Sequence, residues 1–180
     1  MKLVKVIIIL VSFGMYSQTK HITKTGLVNF EASVPSFEEV KASNNTTTAI
    51  IDTENGNLAA LVLVKGFRFK NALMEEHFNE NYAESDQYPK ATFKGSISDF
   101  NVSHLNNELK PFTFNGTLNF HGESKKISEV LQISILNEYI IIKGVFKVSA
   151  ADFNIKIPSV VKNKIANDIE ILFDFKLKKK

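Results

Sequence analysis

The segment at residues 74–95, MEEHFNENYAESDQYPKATFKG, concentrates side chains that bind metals or transfer protons. On a helix, His77 and Glu80 are i, i+3 neighbours. Glu76 and Glu84 flank Glu80 at i, i+4 spacing. A metal site needs three or four ligands that close around the ion, and the remaining histidines each stand alone in extended or loop contexts. Acid–base chemistry needs carboxyl groups whose pKa burial has raised, whereas this helix is predicted to present them to solvent. We therefore interpret the segment as a charged outer face.

Other signatures of catalysis are missing from the sequence. It contains neither a G-x-S-x-G nucleophile elbow nor a glycine-rich phosphate loop. It contains no cysteine, which excludes disulfides and cysteine-bound metals. We expect no enzymatic activity, no metal and no resident cofactor.

The first 17 residues, MKLVKVIIILVSFGMYS, have the pattern of a secretory signal peptide. Lys2 and Lys5 precede an apolar run at residues 6–15, and Ser17 is a small residue at a suitable cleavage point. The run is shorter than the roughly 20 residues that span a bilayer. We expect residues 18–180 to be exported to the periplasm or secreted, with no transmembrane segment.

The charge of the remaining chain does not favour a nucleic-acid partner. Removal of residues 1–17 takes away two of the 22 basic side chains and none of the 19 acidic ones, so the net charge falls from +3 to +1. Nucleic-acid binding needs a clustered basic face, and only the terminal lysines at 178–180 form a basic run. The length suits one domain with a real core.

Alternating apolar and polar residues predict half-buried strands. The pattern is clearest in FTFNGTLNF at residues 112–120 and in DIEILFDFKL at residues 168–177, and weaker in VNFEASV at residues 28–34. Asn55-Gly56, within DTENGN, is a strong hairpin signal between two such runs, and Asn137-Glu138 separates two others at two-residue hairpin spacing. Short turns imply antiparallel pairing, so we expect an all-β domain of about eight or nine strands.

Two segments interrupt the extended pattern. NALMEEHFNENYAE at residues 71–84 predicts a short amphipathic helix with Met74, Phe78 and Tyr82 facing the sheet. PSVVKNKIAND at residues 158–168 predicts a helical turn with Val161 and Ile165 inward.

Two runs are apolar at nearly every position: LAALVLV at residues 58–64 and YIIIKGVF at residues 139–146. A strand with water on one side alternates, so these strands are expected to be covered on both faces. The second cover would be a helix, a partner subunit or a ligand.

Inward positions of the predicted strands define candidate binding residues. A closed sheet of about eight strands is either filled by side chains or left open for one small ligand, and both interpretations remain open for any one phenylalanine. The ligand-binding candidates are Phe112, Phe114, Leu118, Phe120, Ile133, Ile135, Phe146, Ile171, Phe173 and Phe175.

Three separated stretches occur in the order seen in a known family. HFNENYAESDQYPKATFKG (77–95), GTLNFHGESKKI (116–127) and SAADFNIKIPSVVKNKIANDIEILFDF (149–175) resemble the YceI-like family of exported lipid-binding proteins. The tryptophan usual near the mature start and the F-x-V-x-H strand are absent. The resemblance implies a lipocalin-like antiparallel β-barrel with one or two short helices, an apolar channel for a long isoprenoid or similar amphiphile, and often a homodimer.

Two alternatives to a lipid carrier remain open on these residues. The first is an extracytoplasmic interaction module that buries a partner protein against its doubly apolar strands. The second is an enzyme for a hydrophobic substrate, which only the Glu/His helix suggests.

Overall fold

Residues 20–180 are described by a computed structural model, and the predicted signal peptide at residues 1–17 lies outside them. In this part of the chain nine strands form one antiparallel sheet. Their bounds are β1 Lys20–Ser33, β2 Lys41–Asp52, β3 Asn57–Leu63, β4 Arg68–Phe69, β5 Lys90–Ile97, β6 Lys110–Phe120, β7 Glu123–Leu136, β8 Tyr139–Val148 and β9 Ile165–Lys179.

Eight of these strands close into a barrel. The order is β1-β9-β8-β7-β6-β5-β3-β2, and β2 pairs with β1 to complete the ring. The two-residue β4 pairs only with the start of β2. The one α-helix within residues 20–180, α1 (Ala72–His77), continues into a π-helical turn at Phe78–Tyr82. The structure thus confirms an all-β antiparallel barrel of about eight strands with one short helix.

The period-2 pattern explains which residues fill the barrel. In β9 the odd-numbered apolar residues point inward, and Phe173, Phe175 and Leu177 are buried. In β6 the corresponding row carries Phe114, which is fully buried, and Leu118. Polar residues between them face water, so one face of each strand supplies the core.

Antiparallel strands place successive connections at alternating ends of the barrel. We call the end that carries the connections 53–56, 98–109 and 137–138 the closed end. Both ends of the described chain meet there, where the Lys180 amide donates to the Lys20 carbonyl oxygen at 2.9 Å.

The opposite end, which we call the open end, carries the remaining four connections. They are residues 34–40, residues 64–89 with α1, the turn 121–122 and residues 149–164. The last of these contains 3₁₀ turns at Ala150–Phe153 and Lys162–Lys164. The segments that broke the extended sequence pattern therefore collect at one end.

The predicted hairpin turns differ in length. Asn137-Glu138 is a two-residue turn, with Leu136 paired to Tyr139. The hairpin indicated by Asn55-Gly56 is present and has a four-residue loop at residues 53–56. Side-chain acceptors lengthen it, because the Asp52 carboxylate accepts the Glu54 amide at 3.1 Å and Asn55 Oδ1 accepts the Asn57 amide at 2.9 Å.

The two doubly apolar strands are covered on one face only in the single chain. Leu58, Ala60 and Val62 of β3 point into the barrel and are buried. On the outer face, Leu63 is 49% exposed, and Val145 of β8 is 47% exposed. The expectation of a second cover is therefore not met within residues 20–180, and apolar side chains remain on the outer wall.

Candidate functional site

An apolar cavity of about 360 Å³ occupies the open-end half of the barrel. Its wall consists of inward side chains from six barrel strands, Phe69 of the short β4, and residues from the connections at that end. The barrel-strand residues on the wall are Val28, Phe30, Ala32, Val62, Ala91, Leu118, Phe120, Phe146, Val148, Ile165, Ile169 and Ile171. Almost every one of them is a hydrocarbon side chain, so the cavity suits an apolar occupant.

The helix and its π-helical turn cover part of this cavity. Met74, Phe78 and Tyr82, which the sequence pattern places on the inner side, all lie on the cavity wall. Phe78 fixes the segment to the barrel, since its ring lies 5.2 Å from the ring of Phe30 on β1 and 5.2 Å from that of Phe69. Ring pairs at this spacing add to the stabilisation that area burial supplies.

Asn71 begins the helix and joins it to a second segment of the open end. Its Oδ1 accepts the backbone amides of Leu73 and Met74 at 2.9 and 3.4 Å, which is an N-cap. Its Nδ2 donates to Glu38 at 3.0 Å. Because Glu38 belongs to the connection 34–40 and also lines the cavity, these two segments form one continuous rim.

A third rim segment is held by Asp152. The Ser149 amide donates to the Asp152 carboxylate at 2.7 Å, Ser149 Oγ accepts the Asp152 amide at 3.3 Å, and Lys125 of β7 pairs with the same carboxylate. The Lys125 hydrogen bond, followed by the Ser149 amide, lowers the pKa of Asp152 below its ordinary value. Val161 and Ile165, the predicted inward residues nearby, lie on the cavity wall.

His121 connects the acidic segment to the rest of the open end. Its Nε2 lies 2.7 Å from Glu84 Oε2 and its Nδ1 lies 2.9 Å from the Phe153 carbonyl oxygen. The Tyr88 ring packs on the imidazole at 4.5 Å. His121 and Gly122 form a two-residue turn with φ of 51° and 78°, the backbone that a type I′ hairpin needs. His121 therefore connects the turn 121–122 to residues 64–89 and to residues 149–164.

Most of the other acidic side chains of that segment remain in solvent, whereas Glu75 accepts the Phe69 amide at 3.0 Å and pairs with Arg68. Glu76, Glu80 and His77 are exposed. Within residues 20–180, no group of three or more His, Asp or Glu side chains is arranged to hold a metal ion. The carboxylates thus form an outer face, while Glu84 acts as a structural partner of His121.

A layer of phenylalanine rings closes the cavity toward the closed end. Phe146, on the cavity wall, lies 5.8 Å from Phe93 and 6.4 Å from Phe173, and these two rings are 5.7 Å apart. Below them the interior is filled, and Phe114 and Phe175 are 0% and 2% exposed. The barrel is therefore half filled and half open.

The ten sequence candidates fall on both sides of this layer. Leu118, Phe120, Phe146 and Ile171 line the cavity. The residues outside its wall are Phe112, Phe114, Ile133, Ile135, Phe173 and Phe175, which belong to the ring layer or to the filled half. Alternation specifies that a side chain points inward, but not its height along the barrel axis.

Polar side chains on the cavity wall were not singled out from the sequence as ligand contacts. They are Glu38, His77, Tyr82, Ser149 and Lys164, from the rim segments. Glu38, His77 and Lys164 are exposed, so polar groups ring the mouth while the depth is apolar. No local motif marks them, because connections far apart in sequence bring them together.

A closed antiparallel barrel with an apolar cavity under a short helix defines a lipocalin-like class of barrel, in which the interior is large enough for one small ligand. The chain belongs to the YceI-like family: the model of the YceI-like domain matches residues 17–177. No protein of curated function matches the chain.

Solved structures share this fold at low sequence identity. A polyisoprenoid-binding domain from Saccharophagus degradans, implicated in plant cell wall breakdown, superposes with a TM-score of 0.79 at 17% identity, over 91% of this chain and 99% of that one. BcnA of Burkholderia cenocepacia gives 0.68 at 14% identity, over 84% and 95%. The YceI protein of Campylobacter jejuni gives 0.65 at 17% identity, over 82% and 89%.

Within the described residues, no helix is both long enough and hydrophobic enough to span a bilayer.

Proposed function

We propose that this protein binds an isoprenoid or similar amphiphilic lipid in the open-end cavity and acts as a carrier or binding protein. The apolar cavity of about 360 Å³ carries the proposal. The family membership and the likeness to a polyisoprenoid-binding domain support it.

The energetics favour a ligand without any charged contact. An apolar cavity of about 150 Å³ holds one benzene ring, so this one has space for roughly 14 carbon atoms. At about 0.8 kcal/mol per buried methylene, such a chain gains about 11 kcal/mol gross. If association and ordering offset about a quarter to a half of that, the net gain of about 5.5 to 8 kcal/mol corresponds to a Kd of about 1 to 100 µM.

The polar group of the amphiphile would lie at the mouth. Glu38 and Lys164 are exposed wall residues there and offer a hydrogen-bond acceptor and a donor. This arrangement favours an uncharged or weakly polar head group, since carboxylate and ammonium groups stand at the same rim.

Native mass spectrometry of protein purified from its own host, followed by solvent extraction, tests the proposal. We expect a mass increment that organic solvent removes and that tandem spectra assign to a prenyl lipid or quinone. Protein that stays empty after incubation with such lipids contradicts the proposal.

We propose that the protein is not an enzyme. Alanine substitution of His77 together with Glu80 is then expected to leave a co-purifying lipid and the stability largely unchanged, because both side chains are exposed. A lipid that is chemically converted by the unmodified protein but not by this variant contradicts a purely binding role.

Export and assembly complete the proposal. We propose that residues 1–17 direct export, which cell fractionation with and without these residues tests. We propose a homodimer that uses the apolar outer wall around Val145 of β8 and its paired neighbour Leu172 of β9, which are 47% and 36% exposed. A lipid-free dimer with a large contact there supports the alternative function of an interaction module, and light scattering coupled to lipid analysis separates the two.

A further inference from the structure

We infer that the cavity limits its ligand by length, enclosing about three isoprene units and no more. The inference rests on the proposed function, because it narrows the lipid that the same cavity takes. It is carried by the phenylalanine layer that ends the cavity halfway through the barrel.

The layer begins one inward position below the cavity wall on five of the six barrel strands that line the cavity; on the sixth, β3, Val62 is followed by Ala60. Below Phe146, Leu118 and Val28 on the wall, the next inward residues are Gly144, Gly116 and Gly26. Below Ile171 and Ala91 they are Phe173 and Phe93. Glycine and phenylalanine therefore share this level of the barrel.

The phenylalanine rings lie directly against these glycines. A Cβ at Gly144 would stand 2.4 Å from the Phe173 ring, and one at Gly26 would stand 2.7 Å from the Phe175 ring. A Cβ at Gly116 would stand 2.4 Å from the Phe114 ring. Each ring thus packs against the bare backbone of a neighbouring inward position, which a larger residue would prevent.

The rings leave no continuous path through the layer. Phe93 and Phe114 stack at 4.3 Å, and Phe173 and Phe175 stack at 4.8 Å. Phe93, Phe146 and Phe173 form a triangle with sides of 5.7 to 6.4 Å. Packed interiors resist rearrangement because each ring occupies the space its neighbours leave, so the floor is fixed.

The space above the floor sets the length. By comparison with a benzene-sized cavity it holds roughly 14 carbon atoms, or about three isoprene units. The wall residues of β9 run from Ile165 to Ile171, which is about 20 Å of strand and about 15 Å of depth at the usual tilt of barrel strands. The remainder of a longer chain has to stay in water at the mouth.

A series of prenyl alcohols of increasing length tests this limit: geraniol, farnesol, geranylgeraniol and solanesol, delivered from cyclodextrin. Displacement of N-phenyl-1-naphthylamine reports their binding to delipidated protein, and the protein's lack of tryptophan leaves that fluorescence unobscured. Each methylene that enters the cavity contributes about fourfold in affinity. We expect farnesol to bind more than about tenfold tighter than geraniol, and the two longer alcohols to match farnesol within about threefold.

Phe173→Leu should move the limit, because it removes a ring from the floor. We expect geranylgeraniol to gain at least about fourfold over farnesol in this variant. Phe175→Leu is the matched control, since it removes a buried ring one inward position further down, behind Phe173. It should leave the length profile of the unmodified protein unchanged.

The outcomes separate the two proposals. Affinity that keeps rising from farnesol to solanesol in the unmodified protein overturns the length limit and leaves lipid binding intact. Displacement by none of the four alcohols overturns the proposed function and the length limit with it. The profile of the unmodified protein decides the matter even if Phe173→Leu fails to fold.

Discussion

At the scale of single residues, His121 is the side chain on which the open end depends most. Both ring nitrogens lie within hydrogen-bond distance of acceptors, the Glu84 carboxylate and the Phe153 carbonyl oxygen. We expect His121→Ala to lower the free energy of unfolding by about 2 kcal/mol, because three connections lose their common partner. Urea denaturation at neutral pH measures this loss.

Asn137→Ala is the matched control for His121→Ala. Asn137 also stands in a two-residue turn, at the closed end, with a φ of 55° against 51° for His121. Placing alanine at such a φ costs about 1 kcal/mol in either turn. Equal losses in the two variants would show that backbone strain, and not the hydrogen bonds of His121, accounts for the effect.

Asp152 makes a contribution to the stability of the open end that is lost at low pH. The Lys125 and Ser149 hydrogen bonds lower its pKa below the ordinary value of 3.8, so its contribution is complete above that value and disappears as the pH falls through the folded-state pKa. We expect Asp152→Asn to be about 1 kcal/mol less stable at pH 7. The difference should shrink below pH 3.8.

Chemical denaturation at a series of pH values measures the Asp152 effect. Asp86→Asn is its control, because Asp86 also pairs with a lysine, Lys65, but its side chain is 93% exposed. Exposed pairs contribute little, so that variant should change the free energy of unfolding by less than about 0.5 kcal/mol. A gap between Asp152→Asn and the unmodified protein that stays constant from pH 7 into acid would contradict the assignment.

The candidate site could be predicted from the sequence only in part. Alternation along β6 and β9 correctly predicts which side chains point inward, among them the cavity residues Leu118 and Ile171. Alternation does not predict how far along the barrel axis a side chain lies. Phe114 and Phe175 are therefore also predicted as ligand-binding residues, although they lie in the filled half. His121 and Glu84 are 37 residues apart, and no local pattern indicates a contact that tertiary structure alone creates.

At the scale of elements, the buried side-chain amide of Asn44 holds the turn that connects β3 to the covering helix. Asn44 of β2 is 0% exposed; its Nδ2 donates to the Leu63 carbonyl oxygen at 2.9 Å and its Oδ1 accepts the Thr46 amide at 2.8 Å. Gly66 lies against this amide, since a Cβ there would stand 2.6 Å from Asn44 Nδ2. The side chain thereby fixes where the strand ends and the turn begins.

Asn44→Ala should therefore be costly for its size. We expect the free energy of unfolding to fall by about 2 to 3 kcal/mol, because buried hydrogen-bonding groups lose their partner. Asn45→Ala, at the exposed neighbouring position, should change it by less than about 0.5 kcal/mol. Thermal or urea unfolding of both variants provides the comparison, and similar values for the two would contradict a special role for Asn44.

The elements themselves were largely predictable. Period-2 runs gave the long strands, and the row Met74, Phe78 and Tyr82 gave a helical segment packed on the barrel. The helix was expected to be continuous, whereas it changes to a π-helical turn in which the Phe78 carbonyl oxygen accepts the Ala83 amide at 2.8 Å. Both helix types place this row on one side, so the apolar pattern does not distinguish them.

At the scale of the whole molecule, the barrel separates stability from binding. The filled half holds most of the fully buried side chains, among them Phe114, Ile133, Ile142 and Leu177. The open half has fewer fully buried side chains and contains the cavity instead. A protein built this way should fold without its ligand and become more stable when the space is filled.

Ligand binding should therefore raise the melting temperature. A lipid present at about 100 times its Kd adds about 2.7 kcal/mol, which for a domain of this size corresponds to roughly 5 to 10 °C. Differential scanning fluorimetry of delipidated protein with and without farnesol measures the shift. Prenol, which has the same hydroxyl group but a single isoprene unit, should give a much smaller shift, and an equal one would show that the cavity is not the site.

The meeting of Lys20 and Lys180 at the closed end has a practical consequence. A purification handle, a biosensor surface or a bead coupled to the last residue would hold the protein with its entrance pointing outward. Immobilised in that orientation, the protein would keep its uptake and release of cargo unhindered, and loading kinetics could be followed on a chip without disturbing the parts that perform them.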